Sequence, residues 1–186
     1  MLEYKVKTNW CVITGAPSSG KTSVIEELAR RGYHTEPEEA RSFIEACLRR
    51  GKKIENMRKH SDWLQREILY FERRRERQLD YKELIFLDRG IPDSLTYSRL
   101  AGLELSTVKS VAREFQYHAV FIFDRLSIVK DGVRTENDTL AQQIDLDLQR
   151  DYTDLGYSPV RVPVISIPER ADFVLRELEK QSLSAL

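Results

Sequence analysis

The hydrophobic residues of this chain fall into short continuous runs, separated by stretches in which they recur every three or four positions. The first run, residues 10–14, ends at Gly15 and predicts a buried parallel strand that enters a tight loop. Helical spacing begins at Lys21 and stops near Gly32, which predicts a helix directly after the loop. Similar short runs predict further strands at residues 33–35, 84–87, 119–123 and 160–165.

Further helices are predicted between and after these strands. Helical spacing of apolar residues recurs near residues 43–51, 61–79 and 169–181. The last strand candidate contains Pro163, which cannot donate to a sheet ladder, so we expect this strand at an edge. Strands that alternate with helices predict an α/β fold, in which helices cover both faces of a parallel sheet. From its length of 186 residues, we expect residues 1–186 to form a single domain.

The charge balance excludes some classes of partner. Thirty Lys and Arg residues balance thirty Asp and Glu residues, so the chain has no global attraction for nucleic acid or an anionic membrane. No segment approaches the ~20 apolar residues that a membrane span needs. Cys11 and Cys47 lie in apolar contexts that suit reduced thiols packed in a core. We therefore expect a cytoplasmic protein that binds neither nucleic acid nor membrane.

The loop after the first predicted strand fits the Walker A pattern, and it lies between a strand and a helix as the pattern requires. Its glycines let the backbone curl around phosphate oxygens, Lys21 reaches the β and γ phosphates, and Thr22 holds Mg²⁺. The alternative is a glycine turn before an ordinary helix. We predict that ATP and Mg²⁺ bind to a segment that consists of Gly15, Ala16, Pro17, Ser18, Ser19, Gly20, Lys21, Thr22 and Ser23.

An acidic residue ends the predicted strand at residues 84–87, where its carboxylate would face the ligand crevice. There Asp88 could hold the Mg²⁺ shell together with Thr22, or accept a proton from a substrate hydroxyl. Two structural explanations compete with these roles. Asp88 could cap the next helix, or it could pair with the adjacent Arg89.

Three glutamates, Glu36, Glu38 and Glu39, follow the second predicted strand. One of them could act as a general base toward the acceptor, while Arg41 holds a neighbouring group of that molecule. The simpler explanation is that acidic residues favour the first turn of any helix, because they complement its dipole.

Two groups of arginines suggest different roles. Arg134 follows the fourth predicted strand, where small-molecule kinases place a mobile lid, and there it would stabilise charge on the transferring phosphoryl group. A surface arginine is the alternative. The arginines of residues 73–77 alternate with glutamates, which predicts a solvated helix face rather than a nucleic-acid site. The three histidines are too scattered to predict a metal site.

Several blocks of this sequence together resemble the AAA-domain P-loop family that includes the ribosylnicotinamide kinase module of NadR. The resemblance rests on residues 15–22, 37–41, 88–93 and 131–134. It implies a three-layer αβα P-loop NTPase fold with a five-stranded parallel sheet, similar to nucleoside kinases. It also implies ATP binding, and either phosphotransfer to a small hydroxyl compound or ATP hydrolysis. Site roles are supported for Glu38, Asp88, Arg89 and Arg134.

The leading hypothesis is a small-molecule kinase that transfers the γ-phosphate of ATP to a hydroxyl metabolite or a nucleoside-like acceptor. Its catalytic residues would be Lys21, Glu38, Asp88 and Arg134. Thr22 and Asp88 would hold Mg²⁺. The acceptor would contact Glu38, Arg41 and Arg89. The rival hypothesis is an NTP-hydrolysing switch or binding module, which needs no acceptor pocket, and either protein could form a homodimer.

Overall fold

The computed structural model describes residues 4–53, 57, 61–125 and 135–184. Its strands are β1 (Val6–Lys7), β2 (Cys11–Thr14), β3 (His34–Glu36), β4 (Ile85–Asp88), β5 (Phe115–Gln116), β6 (Ala119–Phe123) and β7 (Val160–Val162). Its helices are α1 (Lys21–Arg30), α2 (Glu39–Arg49), α3 (Ser61–Glu76), α4 (Asp93–Leu100), α5 (Ser106–Val111), α6 (Thr135–Asp154) and α7 (Ile167–Ser184).

The main sheet has five parallel strands in the order β3-β4-β2-β6-β7. β2 lies at the centre, where Cys11 pairs with Phe86 of β4 on one side and with Ala119 of β6 on the other. Parallel neighbours need crossover connections, which here run through helices on the two faces of the sheet. The predicted five-stranded α/β fold is therefore confirmed. β7 is an edge strand that ends just before Pro163, as the proline predicted.

The core lies on both faces of the central strands, since every residue of β2, β4 and β6 is buried. Alternate side chains of these strands point to opposite faces. One face packs against α1 and α7, through side chains that include Ile13, Val24, Leu28, Phe121 and Val174. The other face packs a cluster that includes Trp10, Val12, Leu87, Val120 and Tyr152. Cys11 and Cys47 are buried free thiols, as expected.

Several elements were not predicted. β1 and β5 form a separate two-stranded parallel sheet, in which Val6 pairs with Phe115. Helix α4 was missed because its buried residues are mostly polar, so apolar spacing does not reveal it. Helix α6 packs against α4 partly through polar contacts, since Thr96 Oγ1 and Arg99 both donate to Asp151.

The arginine-rich part of α3 is only in part a solvated face, which corrects the expectation for residues 73–77. Arg73 Nε and Arg77 Nε both donate to Glu114 Oε2, at 3.1 and 3.0 Å. Arg75 Nη1 donates to the carbonyl oxygen of Pro37 at 2.7 Å, which ties α3 to the segment before α2. These contacts tie α3 to the segment before β5 and to the segment before α2.

Among the described residues, no helix combines the length and the apolar character needed to cross a bilayer. The cytoplasmic location and the homodimer stay predictions.

Candidate functional site

The segment between β2 and α1, residues 15–20, is a tight loop at the carboxyl end of the central strand. We call it the phosphate loop, after the binding role that the sequence predicts for it. Its φ angles are positive at Gly15 (144°), Ser18 (62°) and Gly20 (86°). A Cβ atom on Gly15 would lie 2.8 Å from the carbonyl oxygen of Phe123, at the end of β6. The loop thus needs glycine at Gly15 and at Gly20, because both residues have a backbone conformation that favours glycine. Gly15 must also be glycine because it packs closely against β6.

The side chain of Lys21 is buried and folds back over this loop. Its Nζ donates to the carbonyl oxygen of Ala16 at 3.0 Å and to Ser19 Oγ at 3.3 Å. Burial, helped by the Arg89 guanidinium, lowers the pKa of Lys21 to about 7, although Asp88 and other nearby carboxylates act in the opposite direction. An anion placed on the loop would favour the charged form of Lys21. The loop and its lysine therefore gain from a bound phosphate.

Thr22 and Asp88 bring a hydroxyl and a carboxylate together beside the loop. Thr22 Oγ1 donates to Asp88 Oδ2 at 2.9 Å. The other carboxylate oxygen, Asp88 Oδ1, is buried and has no hydrogen-bond partner among the described residues. Burial, and then Glu38, raise the pKa of Asp88, while the hydrogen bond from Thr22 and the charge of Lys21 lower it.

This donor set fits Mg²⁺. An unpartnered buried carboxylate oxygen costs free energy, and a hard cation would satisfy it. Mg²⁺ is commonly held by one or two carboxylates together with substrate phosphates and water, so it needs no cage of protein ligands. The described part of the chain contains no cluster of three or more His, Cys, Asp and Glu residues suited to a metal.

Neither structural explanation for Asp88 matches the structure. Helix α4 begins at Asp93, and its N-cap position is Pro92 rather than Asp88. The ion pairs formed by Arg89 go to Glu38 and Asp93. Asp88 is instead directed toward α1 and the phosphate loop.

Arg89 joins three parts of the site. Its φ angle of 72° is unusual for a residue other than glycine, and such strain is found at functional sites. Its Nε donates to Glu38 Oε1 at 2.9 Å, and its Nη1 donates to Asp93 Oδ1 at 2.8 Å. Nη1 also lies 3.3 Å from the carbonyl oxygen of Gly15. The guanidinium therefore holds the Glu38 carboxylate against the phosphate loop.

The three glutamates before and within α2 have different surroundings. Glu39 is in the first turn of α2, so the helix-dipole explanation applies to it. Glu36 contacts His34. Glu38 occupies the N-cap position, yet its side chain caps no amide among the described residues and turns to Arg89. Only Glu38 has the geometry of a site residue.

A cavity of about 850 Å³ joins these groups. One side is formed by the phosphate loop and the start of α1, and the other side by α2, α3 and α4. The predicted site residues that line it are Pro17, Ser18, Gly20, Lys21, Thr22, Ser23, Glu38, Arg41 and Arg89. Four other predicted site residues do not line the cavity but contact residues that do, as described above: Gly15, Ala16, Ser19 and Asp88. Arg134 lies outside the described residues, so its role stays a prediction.

Asp93 is a buried site residue whose role the sequence did not predict. Its Oδ1 accepts hydrogen bonds from Arg89 and from Thr14 Oγ1, and its Oδ2 accepts one from Tyr152 Oη. It therefore links β2, α4 and α6 to the arginine of the site. Asp93 ends the sequence block at residues 88–93, but its position alone suggests only an acid in a first helical turn.

Arg170 is a second unpredicted residue and supports the phosphate loop from α7. Its Nη1 donates to the carbonyl oxygen of Ser19 at 2.5 Å, and its Nε donates to that of Pro163 at 2.9 Å. The guanidinium also lies 5.1 Å from the centre of the Phe123 ring. Arg170 thus connects the loop to the ends of β6 and β7.

Comparison with known proteins agrees with this architecture. The model of the family described as AAA domain matches residues 10–170 of this chain. A search of curated proteins gives no match. Similar solved structures include thymidylate kinase from Ehrlichia chaffeensis, at 12% identity and a TM-score of 0.67, over 91% of this chain and 97% of that chain.

Two further solved structures share the fold. The NadR protein, solved in complex with NR, is 18% identical with a TM-score of 0.64, over 85% of this chain and 46% of that chain. Deoxyadenosine kinase from M. mycoides, solved with dCMP and dCDP as products, is 14% identical with a TM-score of 0.63, over 92% of this chain and 99% of that chain. At these identities the likeness establishes the fold, which is that of P-loop nucleoside and nucleotide kinases.

Proposed function

Because this chain belongs to the AAA-domain family, we propose that it is a Mg²⁺-dependent phosphotransferase, which moves the γ-phosphate of ATP to the hydroxyl group of a small acceptor. One observation carries the proposal. Lys21 and Thr22 on one side, and Glu38 and Arg89 on the other, line the same cavity. A module that only binds nucleotide needs the first pair, whereas a transferase also needs room and polar groups for a second substrate.

The phosphate loop would bind the triphosphate of ATP. Backbone amides of residues 15–23 and the amino end of α1 supply positive potential, which favours phosphate oxygens. Lys21 Nζ, which donates to the carbonyl oxygen of Ala16, would turn to a charged phosphate oxygen when ATP binds. Hydrogen bonds between charged partners are the stronger kind, so this exchange favours binding.

Thr22 and Asp88 would hold the metal ion, since Asp88 Oδ1 is buried and lacks a partner among the described residues. When bound, Mg²⁺ neutralises charge on the β- and γ-phosphate oxygens. The hydrogen bond from Thr22 to the other carboxylate oxygen keeps Asp88 oriented for this task. Asp88 is the alternative proton acceptor in the reaction, but its direct contact with Thr22 favours the metal role.

Glu38 would act on the acceptor. Its carboxylate lines the cavity, and Arg89 fixes it at 2.9 Å. In the reaction, the acceptor oxygen forms a bond to the γ-phosphorus while the bond from that phosphorus to the β–γ bridging oxygen breaks. The hydroxyl proton passes to Glu38, and the products are ADP and a phosphate monoester. Arg89 holds the Glu38 carboxylate in position for this step, and Arg41, which lines the same cavity, would contact the acceptor.

The direct experiment measures ADP release from Mg²⁺-ATP with and without a panel of hydroxyl compounds, and identifies the product by mass spectrometry. Acceptor-dependent ADP release with a phosphorylated product is the expected result. The result would instead favour the NTP-hydrolysing switch if ADP and inorganic phosphate are released in equal amounts and if no acceptor changes that release. Lys21→Ala is the negative control, because it removes the ammonium from the phosphate loop.

A further inference from the structure

Arg170 is a buried cation whose hydrogen-bond partners are uncharged. It is 2% exposed, and its guanidinium donates to the carbonyl oxygens of Ser19, Pro163 and Asp124. Among the described residues it forms no ion pair, and the carboxylate of Asp124 pairs with Arg161 instead. A guanidinium stays charged in proteins, and a buried charge without a counter-charge costs free energy. A phosphate group on the loop would supply the negative charge that Arg170 lacks.

The hydrogen bond from Arg170 also fixes the direction of one peptide group in the phosphate loop. Arg170 Nη1 reaches the carbonyl oxygen of Ser19 at 2.5 Å, from the side of α7. The described backbone contains no cis peptide bond, and in a trans peptide the C=O and the N–H point in opposite directions. The N–H of this peptide group belongs to Gly20, which lines the cavity. The geometry therefore directs the Gly20 N–H away from Arg170, as a phosphate-binding amide requires.

The same contact makes that N–H a better donor. A charged donor at a carbonyl oxygen polarises the whole peptide group, because successive hydrogen bonds polarise one another. Ser19 is fully buried, so water does not compete for its carbonyl oxygen. On its other side, Ser19 Oγ lies 3.3 Å from Lys21 Nζ. Two buried cations, Lys21 and Arg170, therefore hold Ser19 from opposite ends of the residue.

We infer that Arg170 is a positioning residue for nucleotide binding, which orients and polarises the peptide group between Ser19 and Gly20 so that its N–H donates to a phosphate oxygen. This inference rests on the ATP binding in the proposed function. It requires neither the acceptor nor the transfer step. It adds a residue of α7 to the groups that act on phosphate, beside Lys21 and the loop amides.

The first test measures the Kd of Mg²⁺-ATP by titration calorimetry in two variants of Arg170. Arg170→Met removes the charge and the donors but keeps most of the length, so the Kd should rise about ten- to a hundredfold, as for a lost charge-assisted hydrogen bond. Arg170→Lys keeps the charge and should recover part of this loss. An unchanged Kd in Arg170→Met would overturn the inference and leave the proposed function intact. Absence of ATP binding in the wild type would contradict both.

Arg31→Gln is the matched control for weaker packing between α1 and α7. Arg31 Nη2 donates to the carbonyl oxygen of Pro168, and Nη1 donates to Asp172, so this arginine also ties α7 in place. Its described partners do not include the phosphate loop. We expect Arg31→Gln to lower the melting temperature and to leave the Kd of ATP unchanged. If it weakens ATP as strongly as Arg170→Met does, the docking of α7 explains the loss, and the specific role of Arg170 is wrong.

Mg²⁺-tripolyphosphate separates an effect on phosphate from an effect on the rest of the nucleotide. Because the peptide group that Arg170 orients would face phosphate, Arg170→Met should weaken tripolyphosphate and ATP by the same factor. A loss of affinity for ATP with none for tripolyphosphate would contradict the inference.

NMR of the backbone amides keeps the test decisive if Arg170→Met folds poorly, since it uses the wild type. The N–H resonance of Gly20 should move downfield when Mg²⁺-tripolyphosphate saturates the protein, because this amide gains a charged acceptor. The resonance of Gly32, which follows α1 and lies outside the loop, should move little. A Gly20 resonance that does not respond would show that its N–H does not meet phosphate, and the role of Arg170 would fall with it.

Discussion

The Thr22 hydroxyl donates a hydrogen bond to the Asp88 carboxylate at 2.9 Å, which joins the first turn of α1 to the end of β4. The contact follows from strand register, because Ile13 of β2 lies opposite Asp88 in the parallel sheet. Carboxyl ends of neighbouring parallel strands meet at one edge, and the phosphate loop leaves β2 at the same edge. The fold thus places a carboxylate beside the loop, although 66 residues separate the two.

Asp88→Asn should improve the stability of the ligand-free protein while it removes function. The folded-state pKa of Asp88 is raised, mainly by burial. A raised pKa means that its contribution to stability is present at low pH and is lost as pH rises, so the charged carboxylate is a cost at pH 7. We expect a higher melting temperature at pH 7 without ligand, and a fall of about a hundredfold or more in kcat.

The measurement is thermal unfolding at pH 7 with and without Mg²⁺-ATP, together with ADP release. Asp62→Asn is a suitable control, since Asp62 is exposed and far from the loop in sequence. If Asp88→Asn has a lower melting temperature than wild type without ligand, the charged Asp88 carboxylate does not destabilise the folded protein at pH 7. Unchanged stabilisation by Mg²⁺-ATP would contradict its metal role.

Lys21→Ala tests the phosphate loop. The ammonium lies within hydrogen-bond distance of the Ala16 carbonyl oxygen, where it would meet phosphate oxygens. Its loss should abolish the increase in melting temperature that ATP produces, because a charge-assisted contact is removed from a buried site. Lys109→Ala, on an exposed face of α5, should keep the full ATP-dependent increase. An equal increase in both variants would refute the assignment of the loop.

The central sheet could be predicted because β2, β4 and β6 are continuous apolar runs, and burial on both faces leaves that signature. The phosphate loop could be predicted because its backbone conformation and its chemistry both restrict the residue types. The cavity wall that α4 forms could not be predicted, because Asp93, Ser94 and other polar residues occupy the buried face of this helix. Hydrophobic spacing detects apolar burial only, whereas these side chains are buried through hydrogen bonds.

Long-range polar contacts in the structure also could not be predicted from the sequence. Arg170 donates to the carbonyl oxygen of Ser19, which is 151 positions away in the sequence. No local sequence pattern around either residue predicts this contact. Glu72 belongs to a charge run that is typical of a solvated helix, yet it lies buried in the cavity wall. In both cases the side chain alone does not say whether a charged residue is exposed, and only the packing of the helices decides it.

Glu72 and Glu76 should make stability depend on pH in an unusual direction. Burial raises the pKa of Glu72 to about 8 and that of Glu76 to about 7, from an ordinary 4.5. Their contributions are fully present below pH 4.5 and are lost as pH rises through the folded-state values. Glu72→Gln should therefore exceed wild type in unfolding free energy at pH 9, by an amount on the order of a few kcal/mol.

Urea unfolding at pH 4, 7 and 9 would measure this effect. Wild type and Glu72→Gln should have similar stability at the lowest pH, and the gap should widen as pH rises. Glu179→Gln, on the exposed side of α7, should follow the wild-type profile. A gap that is constant with pH would mean that Glu72 ionises normally in the folded protein.

Asp93→Asn should destabilise the protein through Arg89. The carboxylate of Asp93 accepts hydrogen bonds from Arg89, Thr14 and Tyr152 in a buried setting. Removing one partner of a buried ion pair costs about 3 to 5 kcal/mol, because the other charge loses its compensation. Tyr152→Phe removes a single hydrogen bond to the same carboxylate and should cost only about 1 to 2 kcal/mol. If urea unfolding shows the same loss of unfolding free energy in both variants, the ion pair with Glu38 alone is enough to compensate the charge of Arg89.

Gly15→Ala and Gly32→Ala separate close packing from backbone strain. Both glycines have positive φ angles, 144° and 92°, so each substitution meets the conformational cost of about 1 kcal/mol that an added Cβ brings. The Cβ of Gly15→Ala would also lie 2.8 Å from the Phe123 carbonyl oxygen, whereas that of Gly32→Ala has no described atom within 4 Å. Gly15→Ala must therefore move the phosphate loop away from β6. We expect it to lose ATP-dependent thermal stabilisation, while Gly32→Ala lowers the melting temperature slightly and keeps that stabilisation. Retained ATP binding in Gly15→Ala would show that the loop does not need this approach to β6.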